Sequence, residues 1–144
     1  MAAAETLYTP QILALATSLA QWPWDDALPM QGSARSKSCG SVVRLGLASD
    51  GEGRIARVAL KAQACAIGQA AAAIFAAGAA GRSSGEVQAA LAGIAAWLRG
   101  DAERPDWPGL EALDAARDYP ARHSAILLGW QAATDLLFSG DKHG

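Results

Sequence analysis

Cysteine and histidine are scarce, at two each in 144 residues. Two thiols cannot build a four-thiolate zinc or iron–sulfur site within one chain. They also do not suggest the disulfide framework of a small secreted domain, and a chain of this length can bury a core without staples. Charge is limited as well: 18% of residues, with 12 basic against 14 acidic side chains and a net charge of −2. That balance gives no overall field to attract a nucleic-acid backbone. Long apolar runs are missing. The most apolar stretch, 64–80, reads ACAIGQAAAAIFAAGAA and is mostly alanine. It is shorter than the roughly 20 residues of a membrane span, and it reads as a buried helix. The start, MAAAETLYTP, has neither the basic nor the apolar region of a secretory signal, so a reducing cytoplasm is the expected compartment. Phosphate loops, G-x-G-x-x-G, H-E-x-x-H and C-x-x-C are all absent.

Hydrophobic periodicity is present, and it orders the chain. Thr9-Pro10 is a helix start, followed by Ile12, Leu15, Ala16 and Leu19 at helical spacing over about three turns. The stretch from Gln21 to Ser38 reads as a loop or irregular edge strand. Ser41–Ala48 puts Val43, Leu45 and Leu47 on one face at period two. Asp50-Gly51 marks a turn, and Arg54–Ala62 alternates again, with Val58 and Leu60 opposed to Arg57 and Lys61. A hairpin alone is marginal, so a third strand is expected at about Ala34–Ser38.

The rest reads as helical. Cys65 opens the alanine-rich helix, and Ser83-Ser84-Gly85-Glu86 forms a capping box before Val87, Leu91, Ile94 and Leu98. Arg99–Pro108 is a loop, Leu110–Ala116 a short helix, and Tyr119-Pro120 the start of a final helix carrying Leu127, Trp130 and Leu137. Strands followed by helices predict an α+β fold, a small antiparallel sheet of about three strands with helices on one face. One domain spans 1–144, with 1–6 and 139–144 as tails.

The uncommon residues sit at element boundaries. Cys39 lies in S-K-S-C-G-S before a strand, Cys65 where a strand yields to a helix, and His123-Ser124 in the first turn of the last helix. A helix N-terminus offers free amides and the positive end of a dipole, which favours a thiolate. If the three boundaries converge, two sulfurs, an imidazole and a hydroxyl share a pocket. Each residue also has a plainer reading. Cys65 between alanines fits core packing, His123 fits a cap or solvent, and His143 belongs to a polar tail. The tryptophans read as core and loop anchors.

The order of motifs resembles the U-type iron–sulfur assembly proteins, a family that includes IscU, SufU and the amino-terminal domain of NifU. The resemblance rests on Leu7-Tyr8-Thr9-Pro10-Gln11-Ile12-Leu13, Ser38-Cys39-Gly40-Ser41 and Ala64-Cys65-Ala66-Ile67-Gly68-Gln69-Ala70. It extends from about Leu7 to Leu137. Trp97–Leu110 and Asp118-Tyr119-Pro120-Ala121-Arg122 look most like the SufU branch.

The resemblance implies a pocket of three cysteines and an aspartate that holds zinc, accepts sulfur from a cysteine desulfurase, or carries a nascent iron–sulfur cluster. Cys39 and Cys65 match the first and second family cysteines. Ser41 stands at the aspartate position and Ser124 at the third cysteine, while His123 matches the histidine before it in the IscU branch. Cys39, Cys65 and His123 are therefore the expected ligands for iron or zinc, and Cys39 and Cys65 the expected sulfur acceptors. A serine hydroxyl is a poor metal ligand, and clusters need mainly thiolates. Two thiols suffice for persulfide transfer. The implied function is a scaffold or sulfur acceptor in cluster assembly, with a cysteine desulfurase and an apo-protein acceptor as partners and neither nucleic acid nor membrane. The alternative is a non-catalytic module that docks on a desulfurase and regulates it.

Overall fold

A computed structural model describes residues 8–37 and 40–143, with side chains as far as Phe138. Helix α1 (Pro10–Thr17) begins as its sequence dictates: the Thr9 hydroxyl accepts from the Ile12 amide at 3.1 Å, and Pro10 occupies the first turn. A 3-10 turn, Ser18–Gln21, extends it. The chain then passes along the strand that holds Leu60, whose amide donates to the Trp22 carbonyl at 3.1 Å.

Three antiparallel strands follow in the order β1 (Met30–Arg35), β2 (Val42–Ser49) and β3 (Ile55–Gln63). The third strand exists, but it runs over Met30–Arg35 rather than Ala34–Ser38. Its inward positions are Met30, Gly32 and Ala34, too small or too mixed to stand out as an apolar alternation. Gly32 is required there by space: a Cβ would lie 2.9 Å from the Leu136 side chain on the final helix. In β2 and β3, Val43, Leu45 and Leu47 oppose Ala62, Leu60 and Val58, so one face is apolar as the period-two pattern predicts. Asp50 organises the turn between them. Its carboxylate accepts from the Arg54 and Glu52 amides, which holds its pKa below the ordinary value of 3.8.

Helices cover that apolar face. Helix α2 (Ala66–Ala79) buries Ile67, Ile74 and Phe75, and its many alanines allow close approach. Helix α3 (Ser84–Leu98) starts with the expected capping box, Ser83 and Glu86 bonding reciprocally at 3.2 and 2.9 Å. Residues 99–108 form a loop that returns Trp107 to the core, stacked on Phe75 with its indole donating to the Ile74 carbonyl at 2.9 Å. The short helix is a longer 3-10 stretch, Leu110–Asp118.

The final helix is divided. A 3-10 turn (Pro120–Arg122) leads into α4 (His123–Ile126), and α5 (Leu128–His143) follows after a bend at Leu127. The bend lets α4 lie against the start of α2 while α5 crosses β1. A Cβ on Gly68 would sit 3.5 Å from that of Ala125. No helix among the described residues is long and apolar enough to cross a membrane.

Candidate functional site

Three chain boundaries meet at one end of the sheet. The first is the exit from β3, where Cys65 caps α2 in extended conformation. Its carbonyl accepts from the Gln69 amide at 2.9 Å, and the Gln69 side chain reaches back to the Ala64 carbonyl at 2.8 Å. These bonds fix where the thiol leaves the backbone. Cys65 is free and half-buried. The second boundary is the β1–β2 loop, closed at its base by the Ser36 amide on the Ser41 carbonyl (2.8 Å) and the Gly40 amide on the Ser36 carbonyl (3.1 Å). Gly40 takes a positive φ of 73° inside this tight path, a conformation glycine adopts at no steric cost. Cys39 belongs to this loop by sequence but lies outside the described residues. Because Val42 pairs with Gln63, the base of the loop and the approach to Cys65 share one sheet end.

The third boundary is α4. The Ser124 and Ser36 hydroxyls lie 2.6 Å apart and bind each other, tying the loop to the helix. Ser36 and Ser41 are the buried polar residues of the fold among those described, at 2% and 4% exposure. Both are hydrogen-bonded.

No protein-family model and no curated protein matches the chain. Solved structures do. The N-terminal part of a nitrogen-fixing NifU-like protein from Brucella abortus superposes with a TM-score of 0.87, at 26% identity over 96% of each chain. A candidate iron–sulfur cluster assembly scaffold for the SUF system, from Fervidobacterium islandicum AW-1, has the same fold. Its TM-score is 0.79, at 21% identity over 92% of this chain and 97% of the other. The chain has the fold of the U-type iron–sulfur scaffold proteins.

The donor set at this site is thin. His123 begins α4, and its Nε2 lies 3.1 Å from the Arg117 carbonyl. A carbonyl can only accept, so Nε2 is the donating nitrogen in this contact. Ser41 and Ser124 carry neutral hydroxyls, and that of Ser124 is engaged with Ser36. Among the described residues, no three His, Cys, Asp or Glu side chains are grouped as metal ligands would be. These residues do not fit a resident four-coordinate metal.

Sequence reasoning missed Ser36. It stands in the S-K-S-C-G-S run, yet only its burial and its bond to Ser124 reveal that it anchors the loop. A serine one residue past a strand end carries no signal of its own.

Proposed function

We propose that this U-type protein serves iron–sulfur cluster assembly as a scaffold or sulfur acceptor, with Cys39 and Cys65 as the accepting thiols and a cysteine desulfurase as the donor. The observation that carries the reading is the placement of Cys65. It is a free, half-buried thiol at a helix N-terminus, beside the anchored base of the loop to which Cys39 belongs.

The transfer needs no metal. A Cys65 thiolate attacks the outer sulfur of the desulfurase persulfide. The donor's S–S bond breaks, a new S–S bond forms on Cys65, and the donor cysteine leaves as thiolate. Sulfur is exchanged with no net oxidation. Cys39 can repeat the same exchange with the new persulfide, and His123 assists. A nascent cluster is cargo here, and with two thiols in the chain it draws further ligands from a partner.

The test is intact mass after incubation with a cysteine desulfurase and cysteine. One added sulfur is expected, absent in the Cys39→Ser, Cys65→Ser double variant. No added sulfur, together with no metal bound as purified, overturns the reading.

The second reading is a docking module that regulates a desulfurase without receiving sulfur. The Ser36–Ser124 hydroxyl bond, which engages a residue that the resemblance puts at a ligand position, favours it. Full retention of the effect on desulfurase turnover by the same double variant would establish it.

A further inference from the structure

No strand carries an acidic residue, whereas Arg35, Arg44, Arg57 and Lys61 all lie on strands. The register puts them on the face away from the helices. Arg35 pairs with Val42, Arg44 sits between Ser33 and Lys61, and the apolar partners Val43, Leu45 and Leu47 point the other way. At one end this face is covered, with Leu28 against Gly46 and Arg57 bound to Asp25 at 2.8 Å. At the other end, next to Cys65 and the β1–β2 loop, it is open.

Arg44 and Lys61 stand directly opposite each other on paired strands, an arrangement that repels. Arg44 rests on the Trp24 ring at 4.4 Å, and no carboxylate among the described residues pairs with Arg35, Lys37, Arg44 or Lys61. Val42, Arg44, Lys61 and Gln63 line a depression of about 260 Å³. A like-charge pair kept beside a recess, in a chain whose net charge is −2, is a local cost that a bound anion would reverse.

We infer that the open end of this sheet face docks a carboxylate-rich segment of a partner protein, with carboxylates entering the recess between Arg44 and Lys61. The chemistry of the face selects that partner. Sheets that read nucleic acid stack bases on aromatic side chains, and no strand here carries one. The acidic remainder of the chain also opposes a long polyanion. Membrane-surface binding needs free apolar anchors beside the cations, and this end of the face offers Ser33, Val42 and Gln63, with the Trp24 ring taken up by Arg44. A partner seated here lies alongside the Cys65 thiol, yet the docking does not depend on sulfur transfer.

The test uses a fluorescent Glu-rich peptide titrated into the full chain at low salt. Arg44→Gln with Lys61→Gln should weaken binding about tenfold or more, and rising salt should weaken the wild type steeply. The Arg99→Gln, Arg104→Gln variant removes the same charge from the distant 99–104 loop and should bind like wild type. Thermal unfolding of the Arg44, Lys61 variant should be unchanged or raised, because a repulsive pair is removed. Equal weakening in the control variant, no peptide binding at all, or tighter binding of a single-stranded oligonucleotide or inorganic phosphate than of the peptide would overturn the inference.

Discussion

Replacing Gly78 by alanine sets two effects of opposite sign against each other. Gly78 lies in the last turns of α2, where alanine is favoured by up to about 1 kcal/mol. Its Cβ, however, would lie 2.5 Å from Nε1 and 2.8 Å from Cε2 of Trp107. That indole cannot swing aside. It is stacked on Phe75 at 5.8 Å, edge-on to Trp130 at 5.4 Å, and covered by the Arg82 guanidinium at 4.3 Å. Its Nε1 also donates to the Ile74 carbonyl at 2.9 Å. Overpacking a core costs about 1–3 kcal/mol, and disturbing a buried indole's hydrogen bond costs about 1–3 kcal/mol more. Clash outweighs propensity, and Gly78→Ala should destabilise by roughly 2–4 kcal/mol. In urea unfolding, with a slope of about 2 kcal/mol per molar, the midpoint should fall by about 1–2 M. Cys65 is at the opposite end of α2, about 20 Å away along the helix axis, so its alkylation rate in the folded variant should equal the wild type's. A midpoint that is unchanged or raised would refute this account of the aromatic core.

Ser124→Ala removes the hydroxyl bond to Ser36 and should cost about 0.5–1.5 kcal/mol, a drop of roughly 2–5 °C in Tm. Cys39, in the loop that this bond ties down, should then react faster with iodoacetamide; an unchanged rate would contradict the tie. Acid should weaken the fold through Glu86. The Ser83 amide, and then Arg54, hold its pKa below the ordinary value of 4.5. A depressed carboxylate stabilises above the unfolded value and loses that contribution as pH falls through the folded one. Glu86→Gln should therefore flatten the fall of Tm between about pH 6 and about pH 3, and an identical slope would rule the linkage out.

How much of this was legible in the sequence follows from which interactions are local. The Thr9 cap, the Ser83–Glu86 box and the alternation of Val43, Leu45 and Leu47 are set by neighbours a few residues apart, and all are found. The strand Met30–Arg35 is misplaced at that level, because Gly32 is dictated by Leu136 on a distant helix. The division of the last helix at Leu127 has the same origin. It reconciles two docking partners, α2 and β1, that the local sequence does not reveal. At the site, the boundary positions of Cys65 and Ser124 were readable. The tie between the β1–β2 loop and α4 depends on Ser36, whose role is a tertiary contact. The basic sheet face was readable in part, since Arg57 and Lys61 already alternate with Val58 and Leu60. Arg44 joins them only through strand register.

The central claim is that Cys39 and Cys65 receive sulfur. Its most direct measurement is peptide mapping by mass spectrometry after exposure to a cysteine desulfurase and cysteine, with free thiols and persulfides distinguished by alkylation. The account expects a persulfide on the Cys65 or Cys39 peptide of the wild type, and loss of all transferred sulfur when both residues are serine. Two unmodified thiols, under conditions where the desulfurase itself carries a persulfide, would contradict it.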